Sequence, residues 1–224
     1  MPIESEALRQ IPLFAPLGDE ALAQVAVLTV ERHYERGDLI LLEGDAGGAL
    51  HYVHSGLVKV FKTSVTGKEQ VLRLIAAGHT FNDVPALDGG PNPASAAAME
   101  PSVVYLIRRD ALRQLIRTRP EVAQAVVQTL ASALRHLVAL VEDLSLRHVG
   151  ARVAKILLEQ ESSLQEGHQP YHLTQQEMAA LAGTAREVVG RALKELEMAG
   201  AIEMRQGRAV VLSRERLSLL ASGA

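Results

Sequence analysis

Residues 173–200 read LTQQEMAALAGTAREVVGRALKELEMAG, and the punctuation of this stretch decides the fold. Thr174-Gln-Gln-Glu177 has the T-x-x-E form of a capping box, which predicts a helix from about Gln175. Met178, Leu181 and Ala182 give that helix an inner face, and Gly183 ends it by supplying the left-handed conformation after a helix. Thr184-Ala-Arg-Glu187 repeats the T-x-x-E form and predicts a second helix at once. In it Val189, Ala192, Leu193 and Leu196 face inward, and Arg186, Glu187, Gly190, Arg191 and Lys194 face out. Glu187 has two readings, closing the capping box or reaching a base, and the sequence leaves both open. AIEMRQGRAVVLS (201–213) reads as a hairpin with Arg205 and Arg208 near its tip.

Two short helices, a glycine turn and a basic outer face form a helix-turn-helix with a wing, sized for the major groove. Arginine binds guanine O6 and N7 bidentately and a carboxylate accepts from cytosine N4, so Arg186, Glu187 and Arg191 together can read bases. The competing interpretation is a helical hairpin whose charged face is merely solvated. Paired capping boxes flanking a glycine and followed by a wing favour DNA.

The rest of the chain has a different texture. Its 224 residues allow one large or two small domains, and the formal charge of −3 makes any basic patch a local one. With no cysteine, the chain has no disulfide, no thiolate zinc site and no cysteine-held iron–sulfur cluster. No apolar run is expected to reach bilayer-spanning length, and MPIESEALRQ lacks the order of a secretory signal, so a cytoplasmic location is expected. Residues 19–28, DEALAQVAVL, predict a short amphipathic helix. From Glu35 to about Ile107, short apolar segments (39–42, 50–54, 57–61, 71–75 and 103–107) alternate with Gly-rich turns, which predicts an antiparallel sandwich or roll. Beyond Arg109 the pattern is helical almost to the end. Ala123, Val127, Leu130, Leu134, Leu137, Val141 and Leu144 recur at spacings of 4 and 3, the seam of two helices packed knobs into holes. The alternative is an amphipathic helix lying on its own domain, but the stripe is narrower than such helices carry.

On these residues, from IPLF at 11–14 to VVLS at 210–213, the chain resembles the cyclic-AMP receptor protein/FNR (CRP/FNR) family of bacterial transcription regulators. The most specific parts are LTQQEMAALAGTAREVVGRALKELE, RVAKILLEQ at 152–160, and the order of roll, long helix and winged helix-turn-helix. The resemblance implies an α+β fold: a cyclic-nucleotide-binding-like β-roll of double-stranded jelly-roll type over 1–109, a dimerisation helix over 110–146, and a winged helix-turn-helix over 147–224. It implies a homodimer on a palindromic operator in double-stranded DNA that recruits or blocks RNA polymerase, with no membrane partner. Arg186, Glu187 and Arg191 match the base-reading residues of the cyclic-AMP receptor branch and imply a TGTGA-like half-site. Gln175, Gln176, Thr184, Lys194 and Arg205 are the implied phosphate contacts. Ser162–Pro170 matches the main activating loop by position, while TSVTG at 63–67 replaces the acidic turn of some members.

The effector is not legible in the same way. In the cyclic-AMP branch the stretch matching Gly78–Met99 is a phosphate cassette, whose ribose-binding glutamate falls at Asp83 and whose arginine falls at Pro93. No arginine or lysine lies between Leu74 and Ile107, and the adenine positions fall at Leu137 and Val138, which reads against cyclic AMP. His79, Asp83, Pro93, Ser95 and Leu137 are the candidate effector pocket. An FNR-type cluster is excluded by the absent cysteines. A haem-based sensor remains open: DGGPNPASA resembles the nitric-oxide-responsive branch, and His79 is the first ligand to test. The ligand positions of the carbon-monoxide sensors hold Asn82 and Val84, although Pro2 is present. His148, at the expected hinge, reads either as a pH-sensitive residue or as a satisfied structural one. The other functional class is a cupin-like metal enzyme. His51 and His54 stand three apart, so on a strand they point to opposite faces and cannot chelate one ion. No catalytic residue and no metal site are expected.

Overall fold

The structure is a computed structural model that describes Ile3, residues 5–165 and residues 171–223. The chain forms two compact units, one of residues 1–62 and 73–136, the other of residues 63–72 and 137–224.

The first unit is a double-sheet roll. Its strands are β1 (Thr29–Tyr34), β2 (Leu39–Leu41), β3 (Ala49–Ser55), β4 (Leu57–Thr63), β5 (Glu69–Ala76), β6 (Thr80–Phe81), β7 (Ser95–Ala98) and β8 (Ser102–Arg108). They form two four-stranded sheets, ordered β1-β8-β3-β6 and β2-β7-β4-β5. β3 is buried on both faces, and its alternation shows what each face meets. Leu50 and Tyr52 enter one core, with Leu8, Ile11, Phe14, Leu22 and Leu112 from the covering helices. Val53 points between the sheets, where Val58, Ile75, Phe81, Ala96 and Val104 meet. The covering helices are α1 (Ser5–Arg9), α2 (Asp19–Leu28) and α4 (Arg109–Thr118), with α3 (Asp83–Asp88) in the cassette.

The expected strands are present, and three more appear. β1 has only Thr29 buried, so its sequence carries no alternating apolar signal. β6 is two residues long, and β7, Ser-Ala-Ala-Ala, is fully buried in small residues that a search for Val and Ile passes over.

The helical zone breaks once near its start. Arg119 is extended (φ −134°, ψ 94°) before Pro120, and α5 runs from Pro120 to Leu146. Proline restricts the residue before it to extended backbone and fits the first helical position. Val122 and Val126 on α5 are buried in the roll's helical core. Val127, Leu130, Leu134, Leu137, Val141 and Leu144 are all exposed in the single chain. The expectation that no segment reaches spanning length needs correction, because α5 is long and apolar enough by length and composition (mean hydropathy 1.3). Its apolarity comes from Leu, Val and Ala scattered among Gln, Thr and Ser, so no unbroken run marks it in the sequence.

The second unit contains α6 (Val149–Gln165), α7 (Gln175–Ala182), α8 (Arg186–Met198), the hairpin β9 (Ile202–Arg205) and β10 (Arg208–Val211), and α9 (Arg214–Ser222). Ala151, Val153, Ala154 and Leu157 of α6 are buried, as are Leu193, Leu196 and Leu217 of α8 and α9. The α5–α6 connection is built from side chains. Arg152 Nη1 donates to the carbonyls of Asp143 (3.3 Å), Leu144 (3.4 Å) and Arg147 (2.8 Å), at the end of α5 where intrahelical donors run out. His148 Nδ1 accepts from Ala151 N at 3.2 Å and caps α6, which is the structural reading of this histidine.

Candidate nucleic-acid interface

The second unit presents two helices joined by three residues. Thr174 caps α7 in a complete capping box. Its hydroxyl accepts from Glu177 N (3.2 Å), and Glu177 Oε2 accepts from Thr174 N (2.7 Å). Gly183 ends α7 in the left-handed conformation (φ 66°, ψ 33°), and Thr184 N donates to Ala179 O at 3.0 Å. Met178 and Ala182 are buried as expected, together with Ala179 and Ala180.

The second expected capping box does not form. The N-cap of α8 is Ala185, with no side-chain cap bond, and the helix starts at Arg186. The turn is too short to serve both helices separately, and Thr184 is already part of the motif that closes α7. Glu187 is therefore left exposed in the first turn of α8 with no capping bond. There its charge is favoured by the helix dipole. Of its two open roles, capping is excluded.

On α8 Val189, Ala192, Leu193 and Leu196 are buried, and Arg186, Glu187, Arg191 and Lys194 are exposed. Gly190 is half-buried, and a Cβ there would lie 3.6 Å from Gln175 Oε1, an ordinary contact. Gln176 is exposed, while Gln175 and Thr184 are half-buried. The wing turns on Gln206 (φ 50°) and Gly207 (φ 78°), a two-residue loop whose positive φ values match the twist of the strands it joins. Met204 N donates to Glu197 Oε1 at 2.8 Å and ties the wing to α8. Arg205 is engaged at home: its Nε donates to Glu203 Oε2 at 2.8 Å, which holds its pKa above the ordinary arginine value. A phosphate contact from Arg205 would compete with that pair. Arg208 at the other side of the turn is exposed. The helix α9, capped by Ser213 Oγ accepting from Arg216 N (3.3 Å), extends the module beyond the expected hairpin.

In the roll, the candidate effector residues have separate surroundings. His79 is exposed, with Nδ1 3.3 Å from Ala77 O. Pro93 is exposed, and its carbonyl accepts from Lys62 Nζ at 3.3 Å. Ser95 is buried and its Oγ accepts from Glu43 N at 3.0 Å. Burial raises the Asp83 pKa, partly offset by the hydroxyl of Thr80 (3.0 Å) and by the charge of Arg73. Leu137 belongs to the other unit. Lys62 and Arg73 are the residues sequence reasoning missed: both lie just outside 74–107 in sequence, and the sheet brings them beside the cassette. Alternation along β5 could have found Arg73, which shares a strand face with the core residue Ile75. Lys62 is paired with Glu43 at 2.6 Å. The arginine place thus holds an exposed proline, and the cations beside the cassette come from the neighbouring strands.

His51 and His54 do point to opposite sides. His51 stacks near Phe81 (5.0 Å between ring centres) and His54 lies on Tyr105 (4.8 Å). Ser162 is half-buried, and the remainder of the expected activating loop, including His168, lies wholly or in its side chains outside the described residues, as do Met1 and Pro2.

A sensor-type roll joined through a long helix to a winged helix-turn-helix defines a class of DNA-binding regulators. Residues 31–119 match the cyclic nucleotide-binding domain and residues 151–220 the Crp-like helix-turn-helix domain. The cyclic AMP receptor protein of Thermus thermophilus is 35% identical over 213 residues, covering 95% of this chain and 97% of that one. A CRP-like cAMP-activated global transcriptional regulator of Mycobacterium tuberculosis is 32% identical over 219 residues, with the same coverage. The structure of FixK2 from Bradyrhizobium japonicum, 23% identical, superposes with a TM-score of 0.75 over 88% of this chain and 98% of that one, a likeness of fold. The chain belongs to the CRP/FNR family of transcription regulators.

Proposed function

We propose that the protein is a homodimeric, cytoplasmic transcription regulator without enzymatic activity, which reads a palindromic TGTGA-like site and acts on RNA polymerase there. The observation that carries this reading is the outer face of α8. Arg186, Glu187 and Arg191 are exposed, and Glu187 takes no part in a cap. Two arginines and a carboxylate at the leading end of a groove-sized helix suit guanine and cytosine edges. Gln175, Gln176, Thr184 and Lys194 flank this face and are read as phosphate contacts, with Arg205 after it leaves Glu203.

The dimer reading rests on α5, where six large apolar side chains from Val127 to Leu144 are exposed at heptad spacing. Gln124, Gln128, Ser132, Arg135 and Glu142 interleave with them, which suits a second helix and water rather than lipid.

Binding is proposed to be independent of cyclic AMP, because Pro93 stands in the arginine's place and the cation beside it, Lys62, is already held by Glu43 and the Pro93 carbonyl. Fluorescence anisotropy on a TGTGA palindrome, with and without cyclic AMP, tests the reading. Tight selective binding in both conditions supports it. Binding only with the nucleotide overturns the ligand reading, and equal binding to unrelated DNA overturns the site.

A further inference from the structure

The outer face of α8 has a gap that its own sequence does not fill. Positions 186, 190 and 194 stand four residues apart and form one row along the helix. Arg186 and Lys194 are exposed at its ends, and the middle place is Gly190, which carries no side chain. The neighbouring row holds Glu187 and Arg191, both exposed. A glycine inside a helix is less stable than an alanine, and here neither the backbone nor crowding calls for it. Gly190 has no positive φ, and a Cβ on it would meet only an ordinary contact. That contact is the side-chain oxygen of Gln175, 3.6 Å away, and no other described atom outside α8 lies within 4 Å of the same point. Gln175 is the first residue of α7 and is half-buried. Its amide makes no hydrogen bond among the described residues, since Thr174 and Glu177 beside it are bonded to each other. A polar side chain from one helix thus borders the empty place on the other.

We infer that Gln175 reads a base pair through the gap at Gly190. The base is an adenine next to the guanine taken by Arg186, with the amide oxygen accepting from adenine N6 and the amide nitrogen donating to N7. TGTGA supplies such a neighbour in its GA step. The assignment rests on the proposed reading of that site by α8, and it gives Gln175 a base while Gln176 and Lys194 keep their phosphates. A spacer between α7 and α8 would need only the aliphatic stem of the side chain, whereas the atom at the gap is the polar end.

The test titrates the full chain by anisotropy against TGTGA palindromes in which each base pair is varied in turn. The wild-type chain should prefer the A·T pair of the GA step about tenfold over the other pairs at that position. Gln175→Ala should level that preference and leave the other positions unchanged. Gln175→Glu should turn it toward cytosine, because a carboxylate accepts from N4 and offers N7 no donor. A glutamate in the first turn of α7 is favoured by the helix dipole, so this variant reports on the side chain in a folded protein. Gly190→Val fills the gap from α8 and should level the same position, with the double variant Gln175→Ala, Gly190→Val no worse than either single one. An equal loss on all duplexes for Gln175→Ala makes the residue a phosphate contact and overturns the proposal. Unchanged preference in either Gln175 variant, or additive effects at 175 and 190, overturns it too. Arg186→Ala separates this failure from that of the underlying reading. If Arg186→Ala relaxes one position and Gln175→Ala relaxes none, only the role of Gln175 falls; if the wild-type chain does not discriminate among the duplexes, both fall.

Discussion

Glu177 Oε2 accepts from both the backbone N–H and the hydroxyl of Thr174, at 2.7 and 2.8 Å, and fixes the first turn of α7 from both sides. Ten residues later Thr184 and Glu187 repeat the sequence without the bond, because Thr184 serves the end of α7. Thr174→Ala should therefore lower stability by about 1 kcal/mol, as loss of a cap does. Thr184→Ala should change it by less than about 0.5 kcal/mol, the range of substitutions away from such features. Urea unfolding of the two variants decides. Equal losses would show that Thr184 caps α8 after all.

That contrast also marks what was legible in the sequence. The α7 box, the Gly183 stop and the inner faces of both helices follow from local rules, because each bond spans three or four residues. The second box failed because one turn had to serve two helices, a constraint that appears only when both ends are placed. In the roll the strands rich in Val, Leu and Ile were legible, whereas β1 and β7 were not. Lys62 and Arg73 were missed for a different reason. A cassette read as a window of sequence omits the charges that neighbouring strands bring to it.

The free carboxylate of Glu187 sets the next expectation. Arg186→Ala should cost about 1–3 kcal/mol of binding to the preferred duplex and relax base preference at one position. Glu187→Gln should shift preference at a neighbouring position with little effect on stability, since no cap is lost. Lys194→Ala should weaken all duplexes alike and reduce the salt slope by about 1. Anisotropy titrations against duplexes varied one base pair at a time separate these outcomes. A uniform loss for Arg186→Ala would reassign it to a phosphate.

Along α5 the exposed stripe makes a prediction about assembly. Leu134→Glu and Leu137→Glu each place a charge in the middle of the proposed seam, where an unpaired buried charge costs several kcal/mol. Sedimentation velocity should show dimer giving way to monomer, and affinity for the palindrome should fall toward that for a single half-site. Val126→Ala, by contrast, removes methyl groups from the roll core and should lower stability by about 1–3 kcal/mol without changing assembly. A chain that stays dimeric with both glutamates would remove the seam.

The buried ring of His51 and the carboxyl of Asp83 give opposite pH dependences. Burial lowers the His51 pKa from its ordinary 6.5 to about 4, so the folded ring stays neutral where the unfolded one is protonated. Between those values the unfolded chain holds more protons. Stability is therefore unaffected by His51 above about pH 6.5 and falls as pH drops toward 4, by about 3 kcal/mol in total. Asp83 is raised, so its folded form keeps a proton that the unfolded one has lost. Its contribution is present at low pH and is lost as pH rises through the raised value. Asp83→Asn keeps an acceptor for Thr80 and removes the charge, so it should raise stability at pH 7 and isolate the His51 effect. Urea unfolding from pH 4.5 to 7.5 should then slope upward in Asp83→Asn and flatten when His51→Leu is added. An unchanged slope in the double variant would place the titrating group elsewhere.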